Sequence, residues 1–389
     1  MNIALMYGGR SGEHQVSINS AKGIHAPLCN LGHTIHLIGI SLEGRWFLQV
    51  GEEIQETIQT DHPLSVIPGD GLYCGGNKLL LDAAFAVTHG FGGEDGNLQG
   101  LCMLANIPLC GCDTLSSAIG MHKDKASKLF ALEGIPTVPS IVLDWQALQW
   151  LEGGALDAPS WISFRPDNTD NHTATITTDR WTTACQTLTG QVGPSLFIKP
   201  EDSGSSLGVT ALRAPNTENF RNAVQKAKKH SRQVLVQTLI EEMDELECAL
   251  LETEDGNIVV GGPALVVDPG KASNHFLSYE YKYSQVDSAY LTIPSTYPQA
   301  IENQIRHYAV QAFRAIGGEG YARMDFFVAG ENIYLNEINT SPGMTDKSHF
   351  PLLMKDAGFS MEKVLQTLID HAVKRKKEEM LRTYRPPEA

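Results

Sequence analysis

The stretch ARMDFFVAGENIYLNEIN, residues 322–339, holds two apolar runs, Met324 to Val328 and Ile333 to Ile338, separated by a turn at Ala329 to Asn332. This pattern predicts a β-hairpin. The turn brings Asp325 within about one residue of the position opposite Glu337, and like charges facing each other destabilise a sheet, so something must compensate. Glu337 and Asn339 lie two apart, on one face of their strand and about 6.6–7 Å from each other along it. Three oxygen-bearing side chains can therefore converge on one point. Hard oxygen donors without sulfur favour Mg²⁺, which takes one or two carboxylates and leaves its other positions to water and phosphate. A solvent-facing hairpin with scattered acids is the plainer alternative from spacing alone.

Upstream, FIKPEDSGSSLGV (197–209) sets Lys199 at a strand end before a Ser/Gly loop. A cation followed by backbone N–H groups that can form a nest suits a phosphate chain, although the loop is neither GxxxxGK[ST] nor GxGxxG and Ser/Gly loops are often plain connections. Nearer the start, YGGRSGEHQVS (7–17) and HGFGGEDGNLQG (89–100) each place glycines and a carboxylate, Glu13 and Glu94, just after an apolar run. Backbone can approach a small ligand closely there. Asp95 could be no more than a helix N-cap, and His89 a hydrogen-bonded strand-end histidine.

The first hundred residues alternate apolar runs (Ile3 to Tyr7, His33 to Ile40, Ala84 to Thr88) with helical patterns, as βαβ units with a parallel sheet do. Ser116 to Glu133 reads as one amphipathic helix ended by Gly134 and Pro136, with a strand from Thr137 to Leu143 after it. Residues from about 145 to 192 lack a sustained period and read as a surface insertion with some strand. Strands Val234 to Leu239 and Glu247 to Leu251, a Gly/Ser/Tyr-rich stretch from Pro269 to Ser288, helix Ala300 to Ile316, the hairpin and helices from Phe350 onward make an α+β unit. The charged tail from Lys374 reads as a fraying helix end.

With 389 residues, 42% of them apolar and 19% charged, two to four domains with real cores are expected. Thirty Lys+Arg against 45 Asp+Glu leave a net charge of −15, which repels a phosphate backbone or an anionic membrane surface. Neither nucleic acid nor membrane is an expected partner. No apolar stretch is long enough to span a bilayer, and the start lacks the basic and apolar regions of a signal peptide, so a cytoplasmic protein is expected. The seven cysteines should be reduced thiols, and Cys110 with Cys112 lacks a second pair of zinc-site spacing.

Taken in order, YGGRSGEHQVS, HGFGGEDGNLQG, KPEDSGSSLGV, YEYKYS, ARMDFF and NEINTSPGMT resemble the motifs of the D-alanine:D-alanine ligases of the ATP-grasp superfamily, spanning Tyr7 to Thr345. The resemblance implies an N-terminal Rossmann-like parallel-sheet domain (1–115), a small central domain (116–213, with the insertion) and a C-terminal α+β catalytic domain (214–389). It also implies a likeness in chemistry. ATP phosphorylates one D-alanine to an acyl phosphate, which the amine of a second D-alanine attacks. Two Mg²⁺ ions, or Mn²⁺ in their place, would be held by Asp325, Glu337 and Asn339. Lys123, Lys199 and Lys282 match the lysines on the nucleotide phosphates, Lys282 from a mobile loop, and Glu245 resembles the carboxylate on the ribose. Gln237 stands where a glutamate usually meets the adenine amino group, and His122 where an aspartate usually precedes the first lysine. A glutamine carbonyl still accepts an adenine N–H but without the charge that strengthens that bond. Glu13 resembles the residue on the first substrate's ammonium and His89 the one facing its carboxylate. Arg323 with the Gly343 N–H matches the oxyanion pocket, and Ser348 the group on the second carboxylate. Ser205 and Tyr283 match the pair that, with Glu13, closes the site. A homodimer is implied as well. Ligases that take D-lactate or D-serine second, and an inactive ATP-binding protein on this scaffold, are the alternatives.

Overall fold

A computed structural model describes residues 1–154, 157–162, 179–204, 207–267 and 290–382. Lys282 and Tyr283, the Pro269 to Ser288 stretch that carries them, and Ser205 lie outside the described residues.

Strand β1 (Asn2–Gly8) is buried along almost its whole length, as a strand covered on both faces must be. It is flanked in parallel by β2 (Thr34–Ile40) and β7 (Ala83–Ala86), with β3 (Trp46–Leu48) and β8 (Leu109–Cys110) at the edges, giving the order β3-β2-β1-β7-β8. The expected Rossmann-like sheet is therefore present. A separate three-stranded meander, β4 (Leu64–Ile67), β5 (Gly71–Cys74) and β6 (Asn77–Lys78), has no counterpart in the sequence reading. Helix α1 (His14–Asn30) covers one face and α2 (Asn97–Leu104) the other. At the end of β1, Gly8 takes φ +91°, and a Cβ there would meet the Ile40 carbonyl oxygen at 2.3 Å, so only glycine fits.

The single helix expected over Ser116 to Glu133 is two, α3 (Thr114–Met121) and α4 (Lys123–Leu132). Asp113 caps the first, accepting from the Ser116 N–H, and His122 at φ −86°, ψ 94° breaks the run. Apolar periodicity continues across one extended residue, so the break is invisible in the pattern. Both helices pack against the C-terminal sheet, where Ala126 and Phe130 join its core.

The reading of residues 145 to 192 as a surface insertion with strand is overturned for the described part. Helices α5 (Trp145–Leu151) and α6 (Arg180–Val192) bury Trp150, Trp181 and Leu188 against β9 (Ser140–Leu143), β10 (Leu196–Pro200) and their partners. The buried positions of α6 (Trp181, Ala184, Cys185, Leu188, Val192) recur at helical spacing, but intervening Thr and Gln dilute the signal. The second sheet is antiparallel, in the order β11-β10-β12-β9, with β11 (Thr210–Leu212), β12 (Val234–Thr238) and α7 (Thr217–Lys228). Both β12 and α7 join this unit although they lie beyond residue 213.

The third sheet runs β15-β14-β13-β16-β17, from β13 (Asp244–Glu252), β14 (Ile258–Val267), β15 (Tyr290–Thr292), β16 (Tyr321–Ala329) and β17 (Asn332–Asn339). Helix α8 (Gln299–Ala315) covers one face; α9 (His349–Asp356) and α10 (Met361–Met380) cover the other. Instead of fraying from Lys374, α10 returns to the N-terminal sheet, where Arg375 pairs with Glu319 and donates to the Leu109 and Gly111 carbonyls. Residues 383–389 are outside the described set.

Candidate active site

The middle sheet and helix α4 each present a lysine to the predicted hairpin. Lys199, at the end of β10, is buried, and its ammonium lies 3.4 Å from Asn336 Oδ1. Lys123 opens α4, donates to the Ser203 carbonyl at 2.8 Å and sits 3.9 Å from Glu337 Oε2. Glu201, 1% exposed, ties the two elements together: it accepts from the Asp124 N–H at 3.0 Å and pairs with His122 Nδ1 at 2.7 Å. Sequence reasoning passes over Glu201, although a carboxylate directly after Lys-Pro, together with His122 before Lys123, is an available signal. Truncating Glu201 to alanine should raise the KM for ATP about tenfold, from loss of charge-assisted bonds of about 1.5–3 kcal/mol. The KM for an amino-acid substrate should change less than about twofold; steady-state kinetics with each substrate varied checks this.

Burial pushes Lys199 down to about 8, against the attraction of Glu337 and Glu245. With Lys199 on a nucleotide phosphate, as the resemblance implies, an amine largely neutral above that value takes up a proton on binding, so nucleotide affinity should fall as pH rises. We expect ATP to bind about tenfold more weakly at pH 9 than at pH 7. Calorimetry in buffers of differing ionisation enthalpy should show proton uptake near pH 8 that Lys199→Met abolishes.

The hairpin register places Asp325 directly opposite Glu337, with Asn336 bulged beside them. On the other side Asp325 faces Glu247 of β13, so three carboxylates cross the sheet in a row. The compensation demanded by the sequence is Arg323. Its Nε and Nη2 each lie 2.7 Å from an oxygen of Asp325, and its Nε lies 3.3 Å from Glu247 Oε2. Burial opposes the arginine's charge, yet Asp325 and Glu247 outweigh it and hold the guanidinium well above its ordinary pKa. Burial raises the Asp325 carboxyl, with Glu247 and Glu337 adding to the rise and Arg323 opposing it. Asn339 donates to Asp325 at 3.0 Å. Convergence is thus partial: Asp325 and Asn339 meet, while Glu337 leans toward Lys123. A tighter carboxylate group, Glu245, Glu247 and Asp325, has ligand oxygens all within 4.8 Å of one another. This all-oxygen, anion-rich donor set fits a hard divalent cation.

Glycine-rich loops form the opposite wall. Glu13 stands at the N-cap of α1, and Gly90, at φ +69° where glycine is favoured, brings the 89–100 loop so close that a Cβ there would lie 2.8 Å from Glu13 Oε2. Burial works against a charge on His89, but hydrogen bonding to Glu94 and the charges of Glu94 and Glu13 prevail and raise its pKa. Its Nδ1 is 3.6 Å from Glu94 Oε1 and its Nε2 3.1 Å from Ser20 Oγ. After β17 the chain turns through Gly343 to Ser348, whose Oγ meets the Thr345 N–H at 3.0 Å; a Cβ on Gly343 would lie 2.9 Å from that oxygen. His349 follows, with Nδ1 2.8 Å from Glu247 Oε2.

A cavity of about 410 Å³ joins these walls, lined by Glu13, His89, Lys123, Glu245, Arg323, Glu337, Asn339, Gly343 and Ser348, by Glu94, the carboxylate the sequence reading places at a ligand-approach loop, and by Glu247 and His349, to which it assigns no role. Lys199, Gln237 and Asp325 are buried and do not line it. The signal for Glu247 is its position two residues from Glu245, on the same strand face and opposite Asp325. Cys110 and Cys112 lie elsewhere, buried thiols pushed up to about 12 by burial.

A Rossmann-like sheet followed by two antiparallel sheets, with two buried lysines set against an acidic hairpin beside one cavity, defines a ligase of the ATP-grasp class. Two family models match the chain, D-ala D-ala ligase N-terminus over residues 2–112 and D-ala D-ala ligase C-terminus over residues 155–370. The chain belongs to the D-alanine–D-alanine ligase family, ATP-dependent enzymes that form a carbon–nitrogen bond and use a divalent metal. It is 32% identical to D-alanine–D-alanine ligase B of Bradyrhizobium diazoefficiens, over 96% of this chain and 94% of the relative. With D-alanine–D-alanine ligase A of Pseudomonas putida the identity is 33%, over 97% and 99%. Among solved structures it is similar to the D-alanine-D-alanine ligase of Coxiella burnetii (TM-score 0.75, 26% identity, 98% of this chain and 97% of that one). It is also similar to the VanG D-Ala:D-Ser ligase of Enterococcus faecalis (TM-score 0.76, 30% identity, 95% and 99%). Among the described residues no helix is long and apolar enough to cross a membrane.

Proposed function

We propose that this chain joins two D-alanines into D-alanyl-D-alanine, a peptidoglycan precursor, converting ATP to ADP and phosphate. The observation that carries this reading is one cavity lined together by Lys123, Glu337, Glu13, His89 and Arg323. Lys123 and Lys199 hold the nucleotide phosphates, Gln237 accepts from the adenine amino group and Glu245 takes the ribose hydroxyls. Asp325, Glu337 and Asn339 would hold Mg²⁺, two ions with Mn²⁺ able to substitute. When bound, the metal neutralises charge on the transferring phosphate.

Glu13 receives the first D-alanine's ammonium and His89 faces its carboxylate, a role its raised pKa favours. The carboxylate is thereby aimed at the γ-phosphate, and the acyl phosphate forms in place. Ser348 holds the second D-alanine's carboxylate while its amine attacks. Arg323 and the Gly343 N–H meet the oxygen on which charge develops. The roles of Ser205, Lys282 and Tyr283 in closing the site rest on the resemblance of their motifs. We place the enzyme in the cytoplasm, where its ATP is supplied, as a homodimer. The test is phosphate release and product mass spectrometry with ATP, Mg²⁺ and each of D-alanine, L-alanine, D-serine and D-lactate. D-Alanine alone should give dipeptide and ADP. Phosphate release that ignores the amino acid would sink the ligase reading, and a mixed product with D-serine or D-lactate formed in excess over the dipeptide would reassign the second substrate.

A further inference from the structure

Glu247 has no part in the roles above, yet it is 3% exposed in the middle of the sheet, at the wall of the cavity. Its Oε2 is approached by Arg323 Nε at 3.3 Å and by His349 Nδ1 at 2.8 Å. One carboxylate thus joins β13, the arginine on β16 and the N-terminus of α9, where Ser348 precedes His349. Arg323 has its closest partner in Asp325, both of whose oxygens it engages. A divalent cation held by Asp325 draws on those same oxygens and repels the guanidinium, and an arginine without a second anionic partner would swing away from the metal. From this geometry we infer that Glu247 is a positioning residue, which keeps Arg323 aimed at the reacting carbonyl once a divalent cation draws on Asp325. The inference rests on the ligase reading and adds to it a residue that touches neither substrate nor metal.

Membership of the Glu245–Glu247–Asp325 group makes metal ligation the competing role. Two features favour positioning: the side chains bonded to Glu247 Oε2 are the Arg323 guanidinium and the His349 ring, and Lys123 is placed at Glu337, two strands away from it. The test uses the full chain and the isosteric Glu247→Gln, with Glu247→Asp as a second variant and far-ultraviolet circular dichroism to show that each folds. Three quantities are read: kcat and KM for dipeptide synthesis, Mn²⁺ affinity by electron paramagnetic resonance, and affinity for a phosphinate analogue of the tetrahedral intermediate. We expect Glu247→Gln to lower kcat at least tenfold and to weaken phosphinate binding in proportion, because oxyanion donors act on the transition state. The KM for ATP and the Kd for Mn²⁺ should stay within twofold, and Glu247→Asp should recover part of the lost kcat. A fall in Mn²⁺ affinity matching the fall in kcat would make Glu247 a metal ligand and overturn the inference, as would unchanged kcat and phosphinate affinity. Wild-type protein that makes no dipeptide would overturn the functional reading and this inference with it.

Discussion

Replacing Arg323 by leucine is expected to destabilise the protein by about 3–5 kcal/mol, because removing one partner of a buried ion pair leaves its counter-charges uncompensated. Glu247, Asp325 and Glu337 face one another across β13, β16 and β17, and Arg323 is the cation that bonds the first two. The deficit should depend on pH. Without the arginine, the Asp325 carboxyl, raised by burial and no longer opposed by the guanidinium, should titrate higher in the folded chain than in the unfolded one, so the folded state binds more protons in that window. Stability of the variant should therefore fall as pH rises through that window, and the gap to wild type should narrow from pH 7.5 toward pH 5. Thermal unfolding of both proteins across that range reads it directly. A variant as stable as wild type at pH 7.5 would mean that the carboxylates are not charged together. If Arg323 is the oxyanion donor proposed above, its loss should also lower kcat about 10²–10³-fold, measured on whatever fraction remains folded.

Glu337→Gln is expected to abolish turnover while leaving the fold intact, since Glu337 is partly exposed at the cavity and its neighbour Lys123 keeps its bond to the Ser203 carbonyl. The amide keeps the shape of the carboxylate but not the charge that, in the proposed reaction, would hold a divalent cation against the transferring phosphate. Nucleotide affinity should fall less than turnover, because Lys123 and Lys199 remain. A variant that retains more than about a tenth of wild-type kcat at saturating Mg²⁺, a barrier change under about 1.4 kcal/mol, would place the metal elsewhere. The two substitutions separate the roles: Arg323→Leu should lower both stability and rate, Glu337→Gln rate alone.

Much of the site is legible in the sequence. The hairpin can be read from its two apolar runs about a Gly-Glu turn, and the observed strands extend it by one to three residues at their ends. The opposition of Asp325 and Glu337 follows from turn geometry, and the need for a compensating group follows from electrostatics. That Glu247 shares this cluster does not follow, because it is distant from Arg323 in sequence and the two meet only where β13 and β16 are neighbours in the sheet. The same holds for Glu201, whose bonds to His122 and to the Asp124 N–H join elements from different parts of the chain. The two corrections to the fold have a common origin. Apolar period alone reads one helix over Ser116 to Glu133 and an insertion over 145 to 192, since the period continues through one extended residue at His122 and is diluted by Thr and Gln in α6.

By itself, the sequence determined what depends on short-range geometry: the period of strands and helices, glycine where φ is positive or backbone crowds, and the residue types at each loop that follows a strand. Six ordered motifs are enough to place the chain in its family because their chemistry is local. The tertiary structure alone decided which charges meet. It set Lys123 against Glu337, buried Lys199 so that its amine titrates near 8, and put Glu247 between Arg323 and His349. The physical reason is that strand order and helix docking are fixed by burial of apolar surface over the whole chain, which is non-directional and leaves no signature in any one segment. Charge interactions then take their strength from the distances and desolvation that this packing imposes.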